Sequence, residues 1–442
     1  MPLHDRMPML HITGGRPLSG TVELSGAKNS ASKLIVAALL SEDRIALRNV
    51  PRQQETDIAR EIVELLGVSF VWTGDHAVEI HAADLSGTSV VGLSRKNRLS
   101  ILTLAPLLHR TGEAYVPKVG GDDIGPRPVN FHIDILRAMG AELQETADGY
   151  HAIVKGRLQG ALISLPYPSV GATETALFAG VRAKGRTVIR NAAGEPEVKQ
   201  LIMFLQNMGA KIQIDSGRTI EIIGVEKLGG ATATVIPDRL EAASFACMAL
   251  GTGGDVFVKG ARQDHLMTFL NAVRKIGGTF EVQEDGIRFF IEQGTPLTSL
   301  ELETDTHPGF ASDWQQPFVV VLTQAHGMSV VHETVYEDRF GYTETLKKMG
   351  ADIALSTNCL GEIPCRYRGG NFRHSAVING PTVLHASDVV IPDIRAGLAF
   401  VVAALTANGT STLSGLEHLD RGYERLEEKL KGIGAQIERR VD

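Results

Sequence analysis

Six stretches of the chain are apolar almost all the way round a helix: Ser32–Leu40, Leu99–His109, Thr173–Ala183, Glu241–Leu250, Trp314–Gln324 and Arg395–Leu405. A helix without a polar face has to be covered on every side, so these six are predicted to be buried. A short strand-like segment follows each: Ile45–Val50, Glu113–Val119, Thr187–Asn191, Asp255–Lys259, Met328–Val335 and Ser411–Leu416. A second helix comes next with charge on one face, as in Tyr423–Lys431, and should meet water. Each second helix stops on an apolar residue and a glycine: Leu66-Gly67, Met139-Gly140, Met208-Gly209, Ile276-Gly277, Met349-Gly350 and Ile433-Gly434. Glycine just past a helix takes the left-handed backbone of a C-cap without strain. Strand pairs close the unit, as in Thr279–Val282 and Ile287–Ile291 with a Glu-Asp-Gly turn between them.

The period is roughly 70 residues, longer than the common solenoid repeats. Chance alternation of helices and strands would not place the same glycine stop after the same apolar helix six times. The predicted fold is therefore α/β: six repeated βαβαββ-type units in a two-domain inside-out α/β barrel, three units per domain about a pseudo-threefold, helices inside and sheets outside. The chain is expected to cross between domains near Gly26–Ser30 and near Thr234–Asp238. One domain then holds residues 1–27 and 236–442, with units four to six. The other holds residues 28–235, with units one to three and the loop 119–131.

Composition narrows the function. A length of 442 residues, 43% hydrophobic and 21% charged, suits a soluble globular protein of two or three domains. The net charge of −7 and the absence of a basic run argue against general nucleic-acid binding. Cys247, Cys359 and Cys365 cannot make a dense disulfide framework, and their spacing misses the paired short-gap pattern of zinc sites. A reduced compartment is expected. The N-terminal stretch has no continuous apolar signal core, and no apolar run approaches the ~18 residues of a membrane span. We therefore expect a cytoplasmic protein with no membrane partner, monomeric or a weak homo-oligomer, acting on small molecules.

The chemistry-bearing residues are few. Val119–His132 reads VGGDDIGPRPVNFH: two glycines, the acids Asp122 and Asp123, and Arg127 held between two prolines. That suits an anion-handling lid and equally an ordinary surface turn. Lys28 and Asn29 precede the first buried helix, whose N-terminus favours anions, although a solvated lysine beside a cap would look the same. Arg98, Arg339, Arg395 and Arg421 sit at comparable places beside other units. Each alone reads as an ion-pair residue, and Asp393 and Asp420 lie near enough in sequence to Arg395 and Arg421 to serve. Together with Lys28 and Arg127 they could hold a small, highly charged anion in a net acidic protein. Asp313 opens the fifth buried helix, either as a cap or as a general base toward an alcohol.

The motifs LSGAKNSASKLIVAALL, GGDDIGPRPVNFH, PSVGATE, FASDWQQPF, ETVYEDRF, HSAVINGPTVL, DIRAGLAF and DRGYERLEEKL resemble those of the enolpyruvyl transferases. Within them they resemble the UDP-N-acetylglucosamine 1-carboxyvinyltransferase family, from about Leu10 to Arg439 and in family order, more closely than the 3-phosphoshikimate 1-carboxyvinyltransferases. The resemblance implies two domains of three units. It implies transfer of the enolpyruvyl group of phosphoenolpyruvate to the 3′-hydroxyl of UDP-N-acetylglucosamine, with release of phosphate, by addition and elimination. It implies that Lys28, Asn29, Arg127, Arg395 and Arg421 bind phosphoenolpyruvate, with Lys28 also catalytic, and that Arg339 belongs to the same charged group. Arg98, Arg127, Pro128, Val129, Asn130, Phe131, Ser169, Val170, Gly171, Asp313 and Val335 would bind the sugar nucleotide, and Asp313 would take the hydroxyl proton. No metal or organic cofactor is implied; fixed cations do the electrostatic work.

Three positions depart from the commonest family pattern: Asp122 where cysteine is usual, Asn130 where aspartate is usual, and Tyr167 at a variable site. The loop cysteine acts as a general acid and is the target of the epoxide fosfomycin. Asp122 can also donate a proton, provided that its ordinary pKa of about 3.9 is raised by its surroundings. A carboxylate opens an epoxide far less readily than a thiolate, so insensitivity to fosfomycin is expected. Asn130 leaves room for a different uridine nucleotide as acceptor in a natural-product pathway. A non-catalytic sugar-nucleotide-binding relative is a further alternative, against which the retained acids and basic set argue.

Overall fold

A computed structural model of the protein describes residues 8–93, 97–120, 128–363 and 365–441. The described chain falls into two compact units. A terminal unit holds residues 8–25 and 237–441, and an inserted unit holds residues 26–120 and 128–236.

Each unit carries three sheets. In the terminal unit these run, in spatial order, Asp388–Val390, Thr410–Ser414, Pro8–Thr13, Gln436–Val441; Thr279–Gln283, Gly286–Phe290, Asp255–Lys259, Ser19–Glu23; and Glu301–Glu303, Gly327–His332, Ser375–Gly380, Asp352–Ser356. The inserted unit has Lys211–Asp215, Thr219–Ile223, Arg186–Arg190, Leu162–Ser164; Ala231–Thr234, Arg44–Arg48, Ala77–His81, Ser69–Gly74; and the three-stranded Glu113–Pro117, Gly149–Ile153, Glu142–Glu145. Every four-stranded sheet has one parallel edge pair and otherwise antiparallel neighbours.

The parallel pairs explain where the chain crosses. Leu162–Ser164 and Arg186–Arg190 are joined through the buried helix Val170–Gly180, as a parallel pair requires. Glu301–Glu303 reaches Gly327–His332 through Ser312–Leu322, and Asp388–Val390 reaches Thr410–Ser414 through Ile394–Thr406. Two strands break this order by exchanging partners. Ser19–Glu23 leads toward helix Lys28–Ala37 yet pairs with Asp255–Lys259 in the terminal unit. Ala231–Thr234 leads toward helix Arg239–Gly251 yet pairs with Arg44–Arg48 in the inserted unit.

The six apolar stretches are the inner helices. In the terminal unit Arg239–Gly251, Ser312–Leu322 and Ile394–Thr406 pack on one another, and Ile394 through Leu405 are buried without interruption. Phe269, Phe310, Trp314 and Phe318 meet edge-on in the same core. In the inserted unit the second inner helix starts as a 3-10 turn, Leu99–Thr103, and becomes α-helical over Leu104–Thr111, with Pro106 in the first turn where its missing N–H costs nothing. The six glycine stops, Gly67, Gly140, Gly209, Gly277, Gly350 and Gly434, all have φ between +80° and +107°. The predicted Glu-Asp-Gly hairpin turn is present, with Gln283 opposite Gly286.

One predicted helix is wrong. Tyr423–Lys431 is not continuous: Glu417–Gly422 and Leu426–Gly432 are separate short helices, with Arg425 left-handed at φ 49° between them. The break buries Tyr423 and turns its hydroxyl toward Arg395.

Candidate active site

The terminal unit holds a compact cluster of opposed charges. Asp313 is the second residue of helix Ser312–Leu322 and is not its cap; the capping position is Ala311. One Asp313 oxygen, Oδ1, accepts from Arg339 Nη2 at 3.1 Å, and the other, Oδ2, accepts from Arg395 Nε at 3.1 Å. Arg395 Nη1 donates to the Tyr423 hydroxyl at 2.6 Å. Asp393 is the cap of helix Ile394–Thr406 and accepts from the backbone N–H of Arg395 and Ala396. So the pairing expected between Asp393 and the Arg395 guanidinium is absent: the carboxylate is engaged with the helix end, and the guanidinium reaches Asp313. Asp420 likewise pairs with Arg439, at 2.7 and 3.1 Å, and not with Arg421.

Both arginines of the cluster are buried, which alone would make them weaker bases. For Arg395 the Tyr423 oxygen, Asp313 and Asp238 more than offset burial, and for Arg339 Asp313 and Asp393 do so. They are therefore permanent cations. Asp313 keeps 29% of its side chain exposed. Each of its oxygens accepts from one guanidinium. Arg395 Nη2 makes no hydrogen bond among the described residues, which leaves one edge of a fixed fork for an anion.

Behind this cluster stands a residue that sequence reading passed over. Glu333 is fully buried; its Oε1 accepts from the N–H of Val335 and Tyr336, and its Oε2 accepts from Ser312 Oγ at 2.9 Å. Burial raises its pKa, and these bonds oppose the rise. It ties the Val335 segment to the start of the helix that carries Asp313. Val335 in turn presents its carbonyl to the Tyr367 hydroxyl at 2.7 Å and to Arg366. Glu333 lay inside a quoted motif, but nothing local distinguishes a buried brace from a surface acid.

The inserted unit is arranged differently. Lys28 is the first residue of helix Lys28–Ala37, with Asn29 next to it. Its Nζ lies 3.9 Å from Glu55 Oε2, with the two side chains only 12% and 11% exposed, so it is not a solvated lysine. Arg98 donates from Nη2 to the Pro128 carbonyl at 2.9 Å, and the Asn97 carbonyl accepts from Gly120 N–H at 3.1 Å. Two neighbouring residues thus bond to Pro128 and Gly120; Asp122, Asp123 and Arg127, between them in sequence, lie outside the described residues. Beyond Pro128, Val129 precedes helix Asn130–Ala138, which begins with Asn130 and Phe131. Ser169 caps helix Val170–Gly180, accepting from Ala172 N–H at 3.4 Å. His132 joins the two helices: its Nδ1 meets Thr175 Oγ1 at 2.7 Å, and a Cβ on Gly171 would sit 3.0 Å from its ring. Burial, then Arg98, drives the His132 pKa down to about 3, so its ring is neutral.

Three inner helices beneath three outer sheets in each unit, with an aspartate held between two buried arginines, define a protein of the enolpyruvyl transferase class. The chain belongs to the family described as EPSP synthase (3-phosphoshikimate 1-carboxyvinyltransferase), whose model matches residues 12–430. A Protochlamydia amoebophila protein named UDP-N-acetylglucosamine 1-carboxyvinyltransferase is 48% identical over 438 residues, 98% of this chain and 94% of that one. A Zymomonas mobilis protein of the same name is 42% identical over 98% of this chain and 99% of its own. Among solved structures, the enolpyruvyl transferase NikO of Streptomyces tendae superposes with a TM-score of 0.86 at 25% identity, covering 99% of this chain and all of that one. The Acinetobacter baumannii EPSP synthase shares the fold, with a TM-score of 0.76 at 19% identity over 98% of this chain and all of its own.

Proposed function

We propose that this protein transfers the enolpyruvyl group of phosphoenolpyruvate to the 3′-hydroxyl of UDP-N-acetylglucosamine and releases phosphate, the first committed step of peptidoglycan synthesis. The observation that carries the reading is Asp313, held through one oxygen each by Arg339 and Arg395 with 29% of its side chain exposed. Asp313 takes the proton of the attacking hydroxyl as the sugar oxygen bonds to C2 of phosphoenolpyruvate, and C3 receives a proton from Asp122. In the second half C3 loses a proton, and the bond from C2 to the phosphate oxygen breaks. A base fixed on both sides does not have to be reoriented during the reaction, which is where such a site gains rate.

In the terminal unit we assign Asp313, Arg339, Arg395, Arg421 and Val335 to substrate binding. In the inserted unit we assign to substrate binding Lys28, Asn29, Arg98, and the segments Pro128–Phe131 and Ser169–Gly171 at the starts of two helices, ends that favour anions; Arg127, outside the described residues, is assigned with them. The two compact units serve as the two domains. Among the described residues no helix is long and apolar enough to cross a membrane, and we assign the reaction to the cytoplasm.

Phosphate release from the two substrates, followed by product identification by NMR, tests the reading. No phosphate with UDP-N-acetylglucosamine, but release with another uridine nucleotide in an acceptor panel, would move the assignment to that acceptor. Release with none would leave a binding protein. Fosfomycin preincubation should leave activity unchanged over time, and Asp122→Cys should create time-dependent inactivation.

A further inference from the structure

At one edge of the terminal unit's third sheet, strand Gly327–His332 ends and strand Ser375–Gly380 begins, with His332 opposite Ser375. His374 therefore stands beside His332, ring centroids 5.2 Å apart. The chain leaving strand Asp352–Ser356 brings Cys359 and Cys365 to the same place. The four ligand atoms, two ring nitrogens and two sulfurs, lie within 4.8 Å of one another. Linear spacing pointed away from zinc because only the cysteines were compared; the histidines come from the ends of two paired strands.

The hydrogen bonds fix both rings in the form a metal needs. Ser375 Oγ gives its only proton to the Asn358 carbonyl at 2.7 Å, so toward His332 Nδ1, 2.8 Å away, it can only accept. His332 Nδ1 therefore carries the ring proton, and Nε2 offers a bare lone pair. That Nε2 belongs to a fully buried residue and has no hydrogen-bond partner. His374 Nδ1 faces the Phe372 carbonyl at 2.7 Å, which places its proton there too, and its Nε2 looks onto Cys359 Sγ at 3.3 Å. Two outer partners orienting two imidazoles in this way is the usual support of a metal site.

We propose that His332, Cys359, Cys365 and His374 form a structural zinc site. Two thiolates and two neutral imidazoles make a tetrahedral N₂S₂ set with no position left open, which favours structural zinc. Bond lengths of about 2.3 Å to sulfur and 2.0–2.1 Å to nitrogen imply ligand-to-ligand edges of roughly 3.3–3.8 Å. The longest edge must therefore close by about an ångström. Binding releases the two thiol protons to solvent and oxidises nothing. The cysteine loop is already fastened for this: the Glu303 carboxylate accepts from Glu362 and Ile363 N–H, both at 2.8 Å. Gly361 passes so close that a Cβ would lie 2.8 Å from the His332 ring. Tyr367 N–H donates to Cys365 Sγ at 3.4 Å. The metal would thus hold the loop from which Tyr367 and Arg366 reach the Val335 carbonyl.

The full-length chain, reduced, desalted and incubated with zinc chloride, should retain one equivalent through gel filtration. Cobalt in its place should give intense tetrahedral d–d bands with thiolate-to-cobalt charge transfer, a readout that needs no variant. Zinc should slow tryptic cleavage after Arg366 and Arg368 several-fold, and the C359S/C365S protein should be cut at the same rate with and without it. A reduced wild-type chain that keeps no zinc, a cobalt spectrum without charge transfer, or trypsin rates that zinc leaves unchanged would each overturn the site. None of these readouts depends on the transferase reaction.

Discussion

The inner helices of the two units begin in opposite ways. In the terminal unit each carries its own acid at the N-terminus: Asp238 caps Arg239–Gly251, Asp313 is in the first turn of Ser312–Leu322, and Asp393 caps Ile394–Thr406. In the inserted unit the helices starting at Lys28, Leu99 and Val170 have no acid in the first turn; neutral side chains meet two of them, Asn97 Oδ1 accepting from Ser100 N–H at 2.9 Å and Ser169 Oγ from Ala172 N–H at 3.4 Å. A helix N-terminus carries roughly half a positive charge. The terminal unit neutralises that charge internally and binds its arginines to the acids that do so. The inserted unit meets it with neutral side chains at most, and places Lys28 and Arg98 at two of the helix starts. On the proposed function, one repeat gives a unit whose acids handle protons and a unit whose helix starts receive phosphate.

The most severe test removes the proposed proton acceptor. Asp313→Asn should lower kcat by about 10²–10⁴-fold, while nucleotide affinity, measured by calorimetry, changes little. Equal losses in both would mean that Asp313 only holds Arg339 and Arg395 in place, and the division of labour between the units would fail.

The second test concerns a buried acid deeper in each set. Glu241 in the terminal unit is paired with Lys429 at 2.6 Å. Glu174 in the inserted unit is buried with Glu195 and Glu197 near it and has its pKa pushed up to about 7, chiefly by burial, against the opposing pull of Lys33. A carboxyl raised in the folded state favours folding below its unfolded pKa and loses that advantage as pH climbs through 4.5 to 7. The shift corresponds to about 3 kcal/mol. Glu174→Gln should therefore match wild type in urea unfolding at pH 4.5 and exceed it by up to that amount at pH 8. A difference that does not vary with pH would show that Glu174 stays ionised in the folded protein.

A smaller effect is expected at Arg98. Its bond to the Pro128 carbonyl is charge-assisted, of the kind worth about 1.5–3 kcal/mol. Arg98→Ala should raise the KM for the nucleotide by roughly ten- to a hundredfold, with kcat less affected. An unchanged KM would remove this stem from the inserted unit's binding role.

What the sequence made legible was the repeat. Apolar periodicity located all six inner helices, because a helix buried on all sides cannot hide its composition, and the glycine stops located the ends of their partners. Pairings between distant residues were not legible. Asp393 and Asp420 looked like partners of Arg395 and Arg421 because they are neighbours in sequence, yet a cap position commits an aspartate to backbone N–H groups, and Asp420 finds Arg439. Tyr423 read as a helical residue because nothing local signals the left-handed turn at Arg425. The cysteine and histidine cluster was invisible for the same reason: its four members meet only when two strand ends and a loop are brought together.

The mildest test reads the helix ends directly. Asp238 accepts from Leu240 and Glu241 N–H at 2.8 and 3.2 Å, whereas Ser169 accepts once, at 3.4 Å. Cap removal costs about 0.5–2 kcal/mol, more for a short bond to a charged acceptor. In the ligand-free protein Asp238→Ala should therefore lose about 1–2 kcal/mol by urea unfolding, and Ser169→Ala about 0.5 kcal/mol. With saturating nucleotide the order should change in one respect: if the start of Val170–Gly180 is kept for a phosphate, the ligand itself satisfies the N–H groups, and the Ser169→Ala deficit should shrink while that of Asp238→Ala persists. A Ser169→Ala deficit as large as that of Asp238→Ala, and indifferent to ligand, would mean that both units finish their helices internally and that neither end is reserved for substrate.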